Sequence, residues 1–238
     1  MKTIKFTKNF LSLNFQVILS LIFLNTSISF AQNINKWNEG AYLGVSLIFN
    51  TVKDGDASYV NTDPSIPGQT YDGDREISKG LKIGYNKMIT NNIFVGPEFS
   101  YSTEKSLDFN DSSKGGVTDT VRFKGGYNVG LKAGYAVSND IAYVVGIGRS
   151  YQTVETSSID NDTGMDTNIK KTDLYGFYRE FGMLFNLGSG YNLGLLYQIN
   201  SINSSPIHKD SAPDGARIPY DITINKTKNT SITISKFF

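Results

Sequence analysis

The sequence predicts an all-β fold, an eight-stranded antiparallel up-and-down transmembrane β-barrel. Three observations predict it. Apolar and polar residues alternate without a break between Val121 and Tyr135, which is the period of a strand whose side chains switch faces at every residue. The same alternation recurs in segments along the chain, with aromatic residues on the apolar faces. Short and long connections also alternate, as they do in barrels that turn apolar residues to lipid and polar residues to the lumen.

Each strand is traced by its alternation and is bounded by turn residues. The eight predicted strands cover Gly40 to Phe49, Glu76 to Asn86, Ile93 to Ser102, Val121 to Tyr135, Ile141 to Thr153, Asp173 to Asn186, Tyr191 to Ile202 and a last segment that ends at Phe238. In the fourth strand we expect Phe123 and Val129 to face outward. Proline has no backbone N–H, so Pro97 in the third strand predicts a weakened ladder there.

The connections between the predicted strands fall into two classes. Three are tight turns rich in Asn, Asp, Ser and Gly, and they cover residues 87–92, 136–140 and 188–190. Four are long polar loops in which acidic residues outnumber basic ones, and they cover residues 50–75, 103–119, 154–172 and 203–221. Outer-membrane barrels have short turns in the periplasm and long loops outside the cell, so the long loops are predicted to be extracellular.

The first 31 residues have the features of a signal peptide. Lys2, Lys5 and Lys8 precede a mostly apolar run, and small residues flank Phe30 before Gln32. That apolar run is shorter than the roughly 20 residues that a spanning helix needs. We therefore assign residues 1–31 to a signal peptide and residues 32–238 to the barrel domain. The mature chain would carry 20 basic and 22 acidic residues, a net charge of −2.

Composition excludes several classes of function. The chain has no cysteine, which excludes disulfides, thiolate catalysis and cysteine-ligated metals. The charge is balanced and no basic helix is predicted, so nucleic acid is not an expected partner. The mean hydropathy of −0.25 is too low for a bundle of membrane helices. A barrel with half of its strand residues facing a polar lumen can have such a value.

Six charged residues are predicted to face the lumen, and we expect them to form a polar network. They are Lys82, Glu98, Arg122, Lys124, Lys132 and Glu180. Lys82 and Glu98 lie at similar distances from the turn that joins the second and third strands, so they should meet on adjacent strands. Isolated charges would be costly in a narrow lumen, whereas paired charges can fill it. The alternative is an ion path through the barrel.

Three basic residues interrupt the apolar outer face, namely Lys79, Arg149 and Arg179. Each lies about seven or eight residues from its periplasmic turn. A rise of ~3.3 Å per residue and a tilt near ~40° put them roughly 18 to 20 Å up the barrel. We expect them to contact lipopolysaccharide phosphates, for which arginine has a suitable fork of donors. The alternatives are a bulge that turns an arginine inward and simple snorkelling.

Two further motifs carry no site prediction. The segment Asp160 to Asp166 resembles a calcium loop, but its glycine is misplaced and the distal glutamate is missing. His208, the single histidine, lies in a long loop beside Lys209 and Asp210, with no third group to orient a nucleophile and base. The sequence therefore predicts no catalytic residue, no metal site and no cofactor.

Three stretches of the sequence resemble the small eight-stranded outer-membrane β-barrel family of the opacity-protein, OmpX and OmpA-membrane-domain type. They are Ser29-Phe30-Ala31, Val95-Gly96-Pro97-Glu98-Phe99-Ser100-Tyr101 and the final segment Ile232-Thr233-Ile234-Ser235-Lys236-Phe237-Phe238. The resemblance implies a bacterial outer-membrane location. It also implies that the barrel-assembly machinery recognises Ile232, Ile234 and Phe238. Lys236 departs from the pattern, since the family often has an aromatic residue there.

We therefore expect a monomeric, non-enzymatic outer-membrane protein with a structural or surface-interaction role through its four acidic loops. Its expected partners are outer-membrane lipid, lipopolysaccharide, the assembly machinery and an extracellular partner met by the loops. The alternatives are a small passive channel and, less favoured, a hydrolase of lipid A or peptides. A soluble lipocalin-like barrel is the architectural competitor, and it would place Lys82 and Glu98 on the surface.

Overall fold

A computed structural model describes residues 37, 39–51, 57–61, 69–70, 76–103, 105–110, 117–160, 166–203, 207–209 and 220–238. Eight long strands form the barrel: β1 (Gly40–Thr51), β2 (Glu76–Met88), β3 (Ile93–Ser102), β4 (Val117–Ala136), β5 (Ile141–Asp160), β6 (Asp166–Gly188), β7 (Tyr191–Ile202) and β8 (Lys226–Phe237). The predicted signal peptide lies outside the described residues. No helix within those residues is long and apolar enough to cross a membrane.

Every barrel strand pairs antiparallel with the strand before it and the strand after it in the chain. The first and last strands also pair, with Val45 opposite Ile234 and Leu47 opposite Ile232, so the sheet is closed. Closure pairs the two edges of the sheet with each other, so no strand edge is left open to lipid. The predicted up-and-down eight-stranded barrel is confirmed.

Most apolar side chains of the spanning strands face outward, whereas four charged side chains, those of Lys82, Glu98, Lys132 and Glu180, are buried in the interior. Leu131 and Ile147 are each 64% exposed, whereas Glu98 and Lys132 are 5% and 6% exposed. Val129 and Phe181 are also exposed on the outer face. This distribution is the reverse of that in a soluble barrel, so the lipocalin-like alternative is excluded.

The β2–β3 ladder is interrupted at Pro97, as the sequence predicts. The recorded pairs run from Gly84 opposite Glu98 directly to Lys87 opposite Val95, without the two pairs that would lie between them. On its other side Pro97 stays in register opposite Leu131 of β4. Proline has no N–H to donate, and a Cβ at the neighbouring Gly96 would collide with the β2 backbone, so only glycine fits this close approach.

A β-bulge in β4 changes which residues face the lumen. Phe123 pairs with Val154 of β5 and Gly125 pairs with the preceding Thr153, so Lys124 is the extra residue. Gly125 has a φ of +124°, a conformation that favours glycine. The shift in phase turns Phe123 inward, where it is 2% exposed. The predicted outward position of Phe123 is therefore wrong.

Strands β4, β5 and β6 extend well beyond the membrane. They contain 20, 20 and 23 residues, whereas about 9 to 11 suffice to span a bilayer. The β5–β6 ladder continues as far as Ile159 opposite Asp166, so most of the predicted loop at 154–172 is strand. The sequence of this segment is mostly polar, and the apolar alternation that identified the other strands is missing there.

Shorter strands occupy the other predicted loops. Lys105–Asn110 pairs with the outer part of β4. Ala57–Asn61, Gln69–Thr70, Ile207–Lys209 and Tyr220–Ile224 form a second, four-stranded sheet. At the opposite end the strands are joined by turns at 89–92, 137–140 and 189–190, as predicted. We call the end with the three turns the short rim. The opposite end, which carries the additional strands, is called the outer rim.

The inside-out arrangement can be tested by placing a charge on the outer face. We expect Leu131→Arg to lower the free energy of unfolding by about 2 to 4 kcal/mol, because it exposes a charge to hydrocarbon near the bilayer midplane. The same change at Ile89, in a turn at the short rim, should cost about 0 to 1 kcal/mol. Urea unfolding in lipid vesicles measures both values. Equal costs at the two positions would contradict the predicted membrane depth.

Candidate functional site: the lumen and the outer rim

Large inward-facing rings fill the lumen because glycines lie opposite them. A Cβ at Gly130 of β4 would collide with the hydroxyl of Tyr178, which projects from β6. A Cβ at Gly134 would collide with the ring of Phe94 from β3. Both rings are buried. An eight-stranded barrel has just enough interior for its own side chains, and the inward glycines give these rings their space.

A chain of alternating charges crosses the middle of the lumen. The Nζ atom of Lys82 lies 2.6 Å from Oε2 of Glu180 and 3.2 Å from Oε1 of Glu98. The other oxygen of Glu98 lies 2.9 Å from Nζ of Lys132. All four side chains are buried. Two lysines and two glutamates leave no net charge, which is the condition under which buried ions are tolerated.

Tyr42 of β1 completes this group. Its hydroxyl donates a hydrogen bond to Oε2 of Glu98 at 2.5 Å and accepts one from Lys132. The ammonium of Lys132 also lies 4.1 Å from the centre of the Tyr42 ring. The ion network, defined as Tyr42, Lys82, Glu98, Lys132 and Glu180, thereby links β1, β2, β3, β4 and β6. It cross-links the barrel through its interior.

Hydroxyl and amide side chains form a layer on the extracellular side of the ion network. The recorded hydrogen bonds join Ser46 to Thr233 at 2.7 Å, Asn50 to Ser78 at 2.8 Å, Gln198 to Asn200 at 2.6 Å and Asn200 to Thr227 at 3.0 Å. These groups surround a cavity of about 30 Å³. A volume of that size holds one or two water molecules.

An apolar plug closes the periplasmic end of the lumen. Trp37 is 4% exposed and its ring stacks against Phe94, with ring centres 6.1 Å apart. The indole N–H donates a hydrogen bond to the carbonyl of Ser138 at 2.8 Å. The plug also contains Ala136, Ala142, Val144, Leu184 and Leu196, with Met88 packed against it. Sequence reasoning missed this group, although Trp37 is the single tryptophan of the chain and stands just before β1.

Arg122 and Lys124, both predicted to join the lumen network, instead contact Glu155 on β5. The distances to Oε1 of Glu155 are 3.7 Å from Arg122 and 3.0 Å from Lys124, and Lys171 of β6 lies 3.5 Å from the other oxygen. The bulge at Lys124 explains the difference, since it reverses the alternation beyond that residue. Glu155 lies 14 residues above Ile141, roughly 35 Å at a ~40° tilt, and so outside the hydrocarbon.

The charges around Glu155 affect its ionisation. Burial alone would raise the pKa of Glu155, but the hydrogen bond from Lys124 and the charges of Lys124 and Lys171 outweigh it. The pKa of Glu155 is therefore held below its ordinary value, and the carboxylate stays ionised above that value. This cluster joins β4, β5 and β6 outside the membrane.

The three predicted outward basic residues lie around a row of tyrosines near the outer rim. Arg149 and Arg179 are exposed on β5 and β6, so no bulge turns either one inward. The guanidinium of Arg149 lies 3.9 Å from the centre of the Phe177 ring. Lys79 of β2 lies opposite Thr103: its carbonyl accepts a hydrogen bond from the Thr103 N–H, and its own N–H donates one to the Thr103 hydroxyl. The predicted contact of all three with lipopolysaccharide stays a hypothesis.

The residues of the predicted assembly signal lie on β8 and at the end of the chain. Ile232 and Phe238 are exposed, and Ile234 is half-buried. Lys236, which departs from the family pattern, projects at the short rim, where its Nζ atom lies 4.3 Å from the centre of the Tyr191 ring and bonds to the carbonyl of Ser189. Recognition by the assembly machinery stays a prediction. The side chain of His208 and residues 161–165 of the calcium-like loop lie outside the described part of the chain.

A double-mutant cycle can test the ion network. Lys82→Met and Glu180→Gln each leave an uncompensated buried charge, so each should lower the free energy of unfolding by about 3 to 5 kcal/mol. The double variant restores neutrality, because Glu98 and Lys132 still pair. The double variant should therefore lose less free energy of unfolding than the two single variants lose together, and the difference, the coupling energy, should be about 0.5 to 3 kcal/mol.

The control for the cycle is Lys87→Met, which removes an exposed lysine from the same strand. It should change stability by no more than about 0.5 kcal/mol. Unfolding in urea, followed in lipid vesicles, measures all four variants. Strictly additive costs for Lys82 and Glu180 would show that the two charges do not stabilise one another.

Comparison with known proteins supports the architecture. A family model described as an outer membrane protein beta-barrel domain matches residues 19–235. A search of curated proteins gave no match. Among solved structures, OprG from Pseudomonas aeruginosa is similar, with 14% identity, a TM-score of 0.56, and coverage of 87% of this chain and 100% of OprG.

Two further structures are more distant. Ail from Yersinia pestis, solved with the heparin analogue sucrose octasulfate, has 12% identity and a TM-score of 0.49, covering 85% of this chain and 100% of Ail. The outer membrane protease OmpT from Escherichia coli has 10% identity and a TM-score of 0.48, covering 87% of this chain and 100% of OmpT. Identities this low concern the fold alone. The match of the family model to most of the chain shows that this protein belongs to the outer membrane protein β-barrel family and resides in the bacterial outer membrane.

Proposed function

We propose that the protein is a closed, non-enzymatic barrel that acts at the cell surface by presenting a rigid extracellular β-sheet to a partner. The observation that carries the proposal is the extension of β4, β5 and β6 beyond the membrane, above a lumen that is filled. When the lumen of a barrel is filled, the surface that an external partner can reach lies at the extracellular end. The role is therefore an interaction role rather than a transport role.

Three successive layers support the closed lumen. The hydroxyl and amide layer leaves a cavity of about 30 Å³. The ion network lies beneath it and spans the barrel interior. The apolar plug around Trp37 and Phe94 lies at the periplasmic end. A conducting path would have to separate the paired charges and displace the plug together.

The extracellular sheet has its own stabilising contacts. Glu155 joins β5 to Lys124 of β4 and Lys171 of β6. Thr153 donates a hydrogen bond to Asp173 at 2.8 Å. Val154 and Leu174 are buried on the opposite face, next to the inward-turned Phe123. These contacts hold the three strands together outside the bilayer, so the sheet can offer a fixed surface.

The surroundings of the buried carboxylates support a non-enzymatic role. Glu98 and Glu180 are each bonded to a lysine within 3.2 Å and lie beneath the hydroxyl and amide layer. A general acid or base must reach a substrate proton directly or through one water molecule. In these positions the two glutamates serve to neutralise the lumen lysines.

Planar-bilayer recording tests the closed lumen. The intact protein should give no steady conductance steps, because both the ion network and the plug close the path. Trp37→Ala combined with Lys82→Met should produce measurable leakage, whereas Lys87→Met should stay silent. Steady conductance in the intact protein that is lost on changing Lys82 or Glu98 would favour the channel instead.

Shortening the β5–β6 hairpin tests the surface role. Residues 156–170 can be replaced by Asn-Gly, which forms a two-residue turn between the cross-strand partners Glu155 and Lys171. The shortened barrel should fold, as judged by heat-modifiable gel migration, and should leave detergent resistance of the cells unchanged. Adhesion of cells to one another or to surfaces should fall to the level of cells that lack the protein. Unchanged adhesion would contradict the proposal.

A further inference from the structure

Two arginines lie close together on the lipid-facing side of β5 and β6. Arg149 pairs with Phe177, and Arg179 pairs with Ile147, one step lower on the same face. Such diagonal neighbours are about 7 to 8 Å apart. Within the described part of the chain, neither arginine has a carboxylate within ion-pair distance. An exposed cation at the edge of the hydrocarbon is stabilised when an external anion meets it, and Arg149 also has the Phe177 ring beside its guanidinium.

The arginines lie between two different surfaces along the barrel axis. Arg149 is eight residues above Ile141, roughly 20 Å from the short rim of an apolar band about 25 Å tall. Below it the outer face is aliphatic, with Leu131, Val145 and Ile147 all strongly exposed. The guanidinium groups therefore stand at the upper boundary of the hydrocarbon, where acyl chains end and headgroups begin.

A row of tyrosines lies directly above the arginines. Tyr101, Tyr127, Tyr151 and Tyr175 occupy opposed positions on β3, β4, β5 and β6. Tyr127 and Tyr151 stack with their ring centres 4.8 Å apart, and Tyr175 meets Tyr151 edge-on at 5.6 Å. The row is continuous across four strands, so it offers aromatic faces and hydroxyl groups at headgroup level.

A cavity of about 410 Å³ opens at this row. The four tyrosines line it together with Lys124, Thr153 and Asp173. Its volume is within the range of about 300 to 1,000 Å³ that small-molecule sites occupy. The bulge residues Lys124 and Gly125 lie in the wall of this cavity. The combination of aromatic faces with hydroxyl, ammonium and carboxylate groups suits a sugar ring.

Lys79 stands at the other side of the same row. It lies opposite Thr103, one step above the pair formed by Leu81 and Tyr101. Three strand spacings of ~4.8 Å and a four-residue offset at ~3.3 Å per residue separate it from Arg149 by roughly 20 Å. Cations therefore flank the tyrosine row on both sides.

We propose that this face of the barrel binds a phosphorylated glycolipid of the outer leaflet. The acyl chains lie along the aliphatic surface of β4 and β5. One phosphate binds between Arg149 and Arg179, the sugar occupies the tyrosine-lined cavity, and a second phosphate meets Lys79. A phospholipid has no sugar to fill the cavity, and free phosphate has no chains to contact Leu131 and Ile147.

The test measures retention of lipid by the purified protein in nanodiscs. The probes are bisphosphorylated lipid A, monophosphorylated lipid A and phosphatidylglycerol, and native mass spectrometry counts the bound molecules. The double variant Arg149→Gln/Arg179→Gln should bind bisphosphorylated lipid A at least tenfold more weakly than the unmodified protein. Lys79→Gln should weaken this binding less. The matched control Lys87→Gln removes an exposed lysine at the opposite rim and should have no effect.

Comparing the three lipids distinguishes binding at a specific site from general attraction of the protein to anionic lipids. The unmodified protein should prefer bisphosphorylated over monophosphorylated lipid A, and Lys79→Gln should reduce that preference. Phosphatidylglycerol should not compete at equal concentration. Equal retention by the double variant and by Lys87→Gln, or full competition by phosphatidylglycerol, would overturn the proposal. Both arginines are exposed, and heat-modifiable migration verifies that each variant folds. Lipid binding at this site does not depend on whether the lumen conducts ions. Failure of this proposal can therefore be distinguished from failure of the proposed function.

Discussion

The structure depends on one constraint, that the backbone polar groups of a strand in hydrocarbon must all be bonded within the sheet. The β1–β8 pairing satisfies it by closing the sheet. Closure with eight strands then leaves a lumen only wide enough for side chains. Any charge that points inward must find its counter-charge within that small volume. The neutral chain of Glu180, Lys82, Glu98 and Lys132 follows from that requirement.

The two ends of the barrel solve different problems. At the short rim, apolar residues pack around Trp37, so the contacts inside that end of the lumen are apolar. At the outer rim, β4, β5 and β6 continue into water. Lipid does not surround them there, so contacts between the strands must stabilise them. The Glu155 cluster on one face and buried apolar groups such as Phe123 and Val154 on the other supply them.

The bulge at Lys124 has consequences beyond its own position. It turns Phe123 into the interior and moves Lys124 to the ion pairs outside the membrane. It also lies in the wall of the tyrosine-lined cavity. Bulges often mark places where a strand re-aims side chains for function. Here the change of phase coincides with the boundary between the spanning barrel and the extracellular sheet, which is where both proposals place an interaction.

Strand alternation and distance from a tight turn are local properties, so they were enough to predict the barrel, its inside-out orientation, the spanning strands and the Lys82–Glu98 contact. Only the tertiary structure placed Glu180 beside Lys82, since those strands meet across the lumen rather than through a turn. The inward position of Phe123 was also not predictable, because the bulge at Lys124 lies within an unbroken alternation of apolar and polar residues. The sequence of residues 154–172 lacks the regular apolar alternation of the spanning strands, so only cross-strand pairing reveals the strands there. The plug position of Trp37 likewise depends on closure, which brings residues from five separate strands around a segment whose own sequence has no periodicity.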